Sequence, residues 1–416
     1  MTNKNFYAAS GSCAILLFAI SQPIQVNAQE AIDLKGLIEN FENLPLNSQL
    51  NAISLADEVE VKIASSRPNP VISIGVENFF GSSPYKGLNS AETTLQVSQD
   101  LQLFGRKQAN INYAKSRAQS SKQEIEVKKQ EYIRDLAKLW LALENANYQS
   151  NLEDEKIAAA KEDLGFVSLL VEGGREPKLR QLQAQADLKN AQLEKIKTQN
   201  EIANSKNNLA IISQYNGAIN PRIIFMEKLG NFGDFNVANN TTYRLLVSKQ
   251  SISKAAIEIA KAESKPNFGS YMGARHHAAD NAISMVGGLS VTIPLGRKNQ
   301  AILSQRNLQA SANSFAIDNF VRTTEAQRLA LIAQTNAKSR EIAQLNNNLA
   351  PLAEVYDLSK IGLKAGKISL LEVQAARNEL FNTKDKLRVA KFERANAIIE
   401  LSYIENRLIF EVKNEK

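Results

Sequence analysis

The stretch Leu95-Gln-Val-Ser-Gln-Asp-Leu-Gln-Leu103, followed at once by Phe104-Gly-Arg-Lys107, decides how the chain is read. Its odd positions Leu95, Val97, Leu101 and Leu103 are apolar, with Gln99 the exception, while Gln96, Ser98, Asp100 and Gln102 are all polar. A period of two marks a strand with one apolar and one polar face. Just upstream Ile72, Ile74 and Val76 alternate with Ser73, Gly75 and Glu77, which supplies a pairing partner. Downstream the period changes. Between Arg106 and Leu164 there is neither Gly nor Pro, and Ile133, Leu136, Trp140 and Leu143 recur at steps of three and four. This predicts a helix about 90 Å long at 1.5 Å per residue. Its apolar seam is narrow, set among Lys, Glu, Gln, Asn and Ala, as in antiparallel coiled coils.

The pattern then repeats. Leu289, Val291, Ile293 and Leu295 alternate with Ser290 and Thr292, and a fourth strand over Asn267 to Ala274 completes a second pair despite poor alternation. Arg67-Pro-Asn-Pro70 opens the first pair and Lys265-Pro-Asn-Phe268 the second; Leu103-Phe-Gly-Arg-Lys107 closes one and Pro294-Leu-Gly-Arg-Lys298 the other. Gly-bearing breaks follow at Val171-Glu-Gly-Gly-Arg-Glu-Pro177 and Gly362-Leu-Lys-Ala-Gly366, and Ile342, Leu345, Leu349 and Leu352 form a second helical stripe. Gly105 and Gly296 lie 191 residues apart, Gly174 and Gly366 192. Ordered landmarks at near-constant spacing mark an internal repeat of strand pair plus helical hairpin. Strands of about ten residues are long enough to cross an outer membrane when tilted. The period alone fits an ordinary half-buried hairpin equally well.

Composition narrows the classes. The chain has 416 residues, 44% apolar and 22% charged, with one Cys and two His. It lacks the run of about 20 apolar residues that a spanning helix needs, and one Cys cannot form an internal disulfide. Lys4, the apolar run Cys13 to Ile20 and Val26-Asn27-Ala28 read as a signal peptide over residues 1–28. The expected mature chain starts at Gln29. It carries a modest positive charge with no basic block and one Trp, which gives nucleic-acid binding no footing. Phosphate-binding, nucleophile-elbow and zinc-protease motifs are missing, so neither an enzyme nor a cofactor is expected.

The signal-like start, Arg67-Pro-Asn-Pro70, the pair ending in Leu103-Phe-Gly-Arg-Lys107, and Tyr356 with Gly366-Lys-Ile-Ser-Leu-Leu-Glu-Val-Gln-Ala375 together resemble the outer-membrane efflux (TolC) family. Val76-Glu-Asn-Phe79 and Ala91-Glu-Thr-Thr-Leu-Gln-Val-Ser-Gln-Asp-Leu101 look like its CzcC-type, heavy-metal branch. The resemblance implies a mainly α fold with β. Long antiparallel coiled-coil helices would form a trimeric α-barrel, and four strands per chain would enter a shared 12-stranded transmembrane barrel. It further implies a homotrimer in outer-membrane lipid, working with a periplasmic adaptor and an inner-membrane RND pump to export metal cations. A drug or type I secretion duct is the alternative. A periplasmic adaptor and a secreted coiled-coil protein are rivals, but neither needs two strand pairs each followed by a helical hairpin.

Physics agrees on oligomerisation: four strands cannot close a barrel, and an open edge in lipid leaves backbone groups unpaired. Leu95, Val97, Leu101 and Leu103 would face lipid, and Gln96, Ser98, Asp100 and Gln102 the lumen. Phe79, Phe80 and Phe104 sit at strand ends, as girdle or as core packing. The expected organisation is an equatorial segment over 29–66, a first repeat over 67–216, a linker over 217–240, a second repeat over 241–404 and a tail over 405–416. By the resemblance, Gly173, Gly174, Arg175, Gly362, Gly366 and Ser369 form the periplasmic tip that meets the adaptor. The match places Glu372 at the pore constriction, with Ala375 where the family has a second acid and Arg180 at the equivalent place in the first repeat. A solvated helix face is the alternative for Glu372. His276, His277 and Asp280 fall in an expected external turn and could ligate a metal ion or be ordinary loop residues.

Overall fold

The computed structural model describes residues 32–219, 225–227 and 235–407; the expected signal peptide and most of the C-terminal tail lie outside them. In chain order the regular elements are α1 (Leu34–Glu39), α2 (Pro45–Ser65), β1 (Val71–Glu77), β2 (Glu92–Asp100), α3 (Arg106–Glu172) and α4 (Lys178–Ser213). The second half supplies α5 (Thr241–Glu263), β3 (Asn267–His277), β4 (Ala282–Thr292), α6 (Lys298–Lys364) and α7 (Leu370–Glu405). The repeat is thus more regular than its landmarks. Both long helices have 67 residues and both return helices 36, and every bound of the second pair lies 192 residues after its counterpart. At 1.5 Å per residue each long helix spans about 100 Å. The helices run further than the Gly- and Pro-free stretches: α3 passes through Gly165, and α6 through Pro351.

The four strands form one antiparallel sheet in the order β1-β2-β3-β4. Strand ends differ from the sequence reading. β2 stops at Asp100 and β4 at Thr292, so Leu101, Gln102, Leu103, Ile293 and Leu295 lie beyond the strands. The reason is local. The Asp100 carboxylate accepts a hydrogen bond from the Gln102 N–H at 2.9 Å, and Gln102 and Phe104 both take left-handed φ, which turns the chain into α3. Gln102 is therefore not a lumen residue of the sheet.

The main core sits midway down α3, not beneath the sheet. Tyr132, Ile133, Leu136, Trp140 and Leu143 pack against Leu34, Leu37 and Phe41 from the N-terminal segment, Phe225 and Met226 from the linker, and Ile399 from α7. Polar ties fix the belt. The buried Glu144 carboxylate accepts from the Phe225 and Met226 N–H groups at 3.0 and 3.2 Å, and Tyr132 donates its hydroxyl to the Leu37 carbonyl at 3.0 Å. From the belt downward α3 and α7 run antiparallel and close, with ion pairs Lys138–Glu400, Glu155–Lys384 and Asp163–Arg377 forming a ladder. Among the described residues no helix is long and apolar enough to cross a membrane, which says nothing about the sheet.

Candidate functional site

Two places carry functional geometry: the two faces of the sheet, and the helical end farthest from it. Strand pairing aligns the side chains in rows. Ile72, Val97 and Met272 form one row, and Ile74, Leu95, Ala274 and Met285 the next. Because alternate residues face opposite ways, these rows share one face, and their large side chains are exposed. The other face holds Ser73, Gln96, Thr94, Ser98, Asp100, Tyr271, Arg275, Ser284, Ser290, Glu77 and Glu92, with Val71, Ala282 and Val286 as apolar exceptions. On it Arg275 bonds Glu92 at 2.8 Å and donates to the Thr94 hydroxyl at 3.0 Å. A sheet that is mainly apolar on one face, with Thr93, Gln99 and Ser270 as exceptions and no core over it among the described residues, and charged on the other suits lipid on one side and water on the other. Phe104 packs on Phe268, ring centroids 5.4 Å apart, at the helix-side rim of this sheet.

The histidines fall elsewhere than expected. β3 extends to His277, so both lie in the strand and not in a turn. Being adjacent there, they face opposite sides. His276 lies on the apolar face, within 3.1 Å of the Asn281 side-chain oxygen; His277 lies on the polar face, 2.9 Å from the Ser284 hydroxyl and 3.7 Å from Glu92. One ion cannot be held by both rings. Among the described residues no group of three or more His, Cys, Asp or Glu is placed to bind a metal ion.

At the far end both hairpin turns have the same Schellman geometry. The Gly174 N–H donates to the Val171 carbonyl at 3.0 Å and the Arg175 N–H to Leu170 at 2.8 Å; Gly366 and Lys367 repeat this with Leu363 and Gly362 at 3.0 and 2.9 Å. Only Gly174 (φ 71) and Gly366 (φ 68) need the left-handed region. Gly173 has φ −78, so its expected turn-forming role is not a conformational one. Gly362 is helical, and a Cβ there would fall 2.6 Å from Ile368 Cδ1 and 2.8 Å from its Cγ1, so the Ile368 side chain would have to shift. Replacing Gly174 or Gly366 by alanine is expected to destabilise its turn by about 1–2 kcal/mol, the cost of a left-handed L-residue. Gly173→Ala is expected to be nearly silent. Hydrogen exchange of the adjoining helix ends distinguishes the two.

Ser369 and Glu372 form a capping box that starts α7. The Ser369 N–H and hydroxyl both donate to the Glu372 carboxylate at 2.8 Å, and the Glu372 N–H donates to the Ser369 hydroxyl at 3.3 Å. These bonds hold the Glu372 carboxyl below its ordinary value. A carboxylate with a lowered folded pKa contributes fully above the ordinary carboxylate range and loses that contribution as pH falls through the lowered value. Ser369→Ala is expected to weaken the start of α7 by about 1 kcal/mol, read as faster exchange over 370–376, with a smaller difference in acid. Arg180 bonds Gln183 on its own helix at 3.0 Å, so within the chain it does not answer Glu372.

Above these turns lies a cluster that the sequence reading missed. Arg377 on α7 is 8% exposed and Asp163 on α3 is 6% exposed. The guanidinium bonds the Asp163 carboxylate directly and reaches Asp187 on α4 at 3.5 Å, where Gln374 also donates at 3.3 Å. Three helices from both hairpins are thereby tied through one side chain. Burial pushes the Asp163 carboxyl up against the opposing pull of Arg377. Tyr356 on α6 lies beside it, and burial and the nearby carboxylates push its hydroxyl up to about 12. Val167, Ala184 and Leu370 pack just below. The signal was present: Leu370, Val373, Arg377 and Leu380 step by three and four, so Arg377 occupies an apolar seam position, where an unpaired charge does not belong.

An open-edged sheet with one lipid-compatible face, set on two long helical hairpins, is the architecture that one subunit of an outer-membrane channel would bring. Residues 55–213 match the profile of the family "Outer membrane efflux protein". The chain is 23% identical over 347 residues to the nickel-cobalt-cadmium resistance protein NccC of Alcaligenes xylosoxydans xylosoxydans, covering 82% of this chain and 79% of that one. To the nickel and cobalt resistance protein CnrC of Cupriavidus metallidurans it is 24% identical over 277 residues, 64% of each. Among solved structures, CusC superposes with a TM-score of 0.77 at 16% identity, covering 89% of this chain and 91% of that one. VceC from Vibrio cholerae gives 0.75 at 14% identity, covering 90% and 96%. Residues 55–213 thus carry the profile of a transport family, which is not an enzyme class, and the fold is the one shared by CusC and VceC.

Proposed function

We propose that the chain is the outer-membrane duct of a tripartite efflux system and that its cargo is heavy-metal cations. It works as a homotrimer, with a periplasmic adaptor at the tip turns and an inner-membrane pump of the RND type supplying the free energy. The observation that carries the duct is the sheet: mainly apolar rows on one face, polar and charged rows on the other, and the outer edges of β1 and β4 without a partner strand among the described residues. Antiparallel order leaves β1 and β4 running in opposite directions, so β4 of one copy can pair with β1 of the next around a ring. Closure removes every edge from lipid. The names of NccC and CnrC support metal cations as cargo.

The duct itself performs no covalent chemistry. Its task is to stay shut until the adaptor engages and then to open at the tip. Arg377 acts as an internal latch, because drawing α7 away from α3 and α4 strands a desolvated carboxylate at Asp163. The tip glycines, Arg175 and Ser369 shape the surface offered to the adaptor. Glu372 spends its carboxylate on the α7 cap, and only the face of it left over can add negative potential to the constriction. A deletion strain challenged with nickel, cobalt, cadmium, zinc and copper salts and with a drug panel tests the cargo. Metal sensitivity is expected, restored by the intact gene; drug sensitivity without metal sensitivity would sink the metal assignment.

A further inference from the structure

The cations of the chain are distributed unevenly. Along the helices many Lys and Arg side chains pair with carboxylates, as in the ladder between α3 and α7. Where the sheet meets the helices they do not. The segments 66–70, 101–107, 264–267 and 293–298 hold Arg67, Arg106, Lys107, Lys265, Arg297 and Lys298, and neither Asp nor Glu. None of the six makes an ion pair among the described residues; Lys265 reaches only the Phe104 carbonyl, at 3.4 Å. Asp100, the acid beside this rim in the sequence, is already engaged by the Gln102 N–H and by the Asn267 side-chain amide at 3.1 Å. Nor do the helices explain the charges. Arg106, Lys107 and Lys298 open α3 and α6, at the end where the backbone dipole disfavours cations. Both repeats nevertheless place them alike, as Gly105-Arg-Lys107 and Gly296-Arg-Lys298. Leu101, Leu103, Phe104 and Ile293 stand exposed beside them, and Leu295 is 89% exposed. The opposite end of the sheet is mixed: Glu77, Glu92 and Asp280 accompany Lys86 and Arg275, and Arg275 bonds Glu92.

We propose that the helix-side rim of the sheet binds the headgroups of anionic phospholipids. This rests on the outer-membrane barrel proposed above and adds the lipid that its inner rim selects. Every strand end on this side carries at least one of the six cations, so a closed barrel would be ringed by them. Their sign suits phosphate esters. The bare aliphatic side chains among them suit the boundary between acyl chains and headgroups, where Lys and Arg lay their stems on apolar surface and extend their charge to the phosphates. An acidic soluble partner would answer the charges but leave Leu295 in water. A zwitterionic headgroup brings an ammonium that the cations repel, so a headgroup of net negative charge is preferred. Each Lys or Arg near an anionic surface raises binding by a factor of about five. The ring thereby fixes how deep the barrel sits and which lipids surround its periplasmic edge.

Lipid retention by the full chain tests this. The protein purified in mild detergent is mixed with equal amounts of dioleoylphosphatidylglycerol and dioleoylphosphatidylethanolamine. It is then passed over a sizing column, which reads the number of chains per particle, and its bound lipid is extracted and quantified. The unaltered chain is expected to keep several-fold more phosphatidylglycerol, with the excess shrinking in about 1 M salt, where charges are screened. The variant Arg106→Gln, Lys107→Gln, Arg297→Gln, Lys298→Gln is expected to fall close to parity. A control removes as many exposed cations far down α4 and α6, by Lys189→Gln, Lys206→Gln, Arg322→Gln and Arg340→Gln, and should keep the excess. Parity in the unaltered trimer would overturn the proposal and leave the duct standing. An excess that survives high salt, persists in the rim variant or is lost equally in the control would overturn it too. A particle of one chain would overturn the duct and the rim together.

Discussion

Arg377→Ala is expected to loosen the tip by about 3–5 kcal/mol, the cost of leaving one charge of a buried pair uncompensated. Asp163 remains almost fully buried in this variant, and Asp187 loses one of its two donors. The effect is local, read as faster hydrogen exchange over the α3 and α7 segments around 160–167 and 373–381. Two further readouts separate lost charge compensation from lost packing. Burial already pushes the Asp163 carboxyl up, and without Arg377 it rises further. A group whose folded pKa is raised penalises the folded state above that pKa and ceases to as pH falls, so the variant's deficit should shrink in acid. Second, Asp163→Leu in the same chain should recover part of the loss, since it removes the uncompensated buried carboxylate while the space left by Arg377 stays empty. With the latch broken, resting conductance in a planar bilayer should rise over the unaltered chain.

Trp140→Ala is expected to cost about 3–5 kcal/mol, the range for emptying a large aromatic site in a packed core. Trp140 is fully buried in the belt, where the N-terminal segment, the linker and α7 meet α3. The long helices have thin seams elsewhere, so this cluster has no neighbour able to fill the cavity. Trp140→Phe should cost distinctly less, because much of the volume is kept. The damage should appear first where the belt is tied by few bonds. Residues 225–227, held through Glu144 and Arg394, should lose protection before α3 itself does. A Trp140→Ala chain whose belt exchanges as slowly as the unaltered one would remove this cluster as the anchor.

Much of the architecture was legible in local periodicity. Alternation around Leu95 and steps of three and four around Trp140 report one face each, and a face is a local property. The repeat was legible because Gly and Pro are scarce enough for the few present to act as landmarks. Strand ends were not, since they depend on a side chain bonding its own backbone, as Asp100 does with Gln102. The reading of Gly362 failed for a similar reason: a Cβ there meets the Ile368 side chain, and no left-handed φ is involved. Glu372 offers the opposite lesson. Ser369-Leu-Leu-Glu372 is a capping-box pattern visible in the sequence, and the family match drew attention to the pore instead. Arg377 and Asp163 lie 214 residues apart, and only their seats in apolar stripes hinted that they were buried. The histidines were expected in a turn; they end strand β3, where adjacent side chains face opposite sides.

The central claim is that four strands from each of three chains close one barrel in the outer membrane. Native mass spectrometry of the chain extracted in detergent from outer-membrane fractions tests it most directly. The account predicts a particle of three chains that dissociates to one on heating. A single chain per particle, or recovery in the soluble periplasmic fraction, would contradict it.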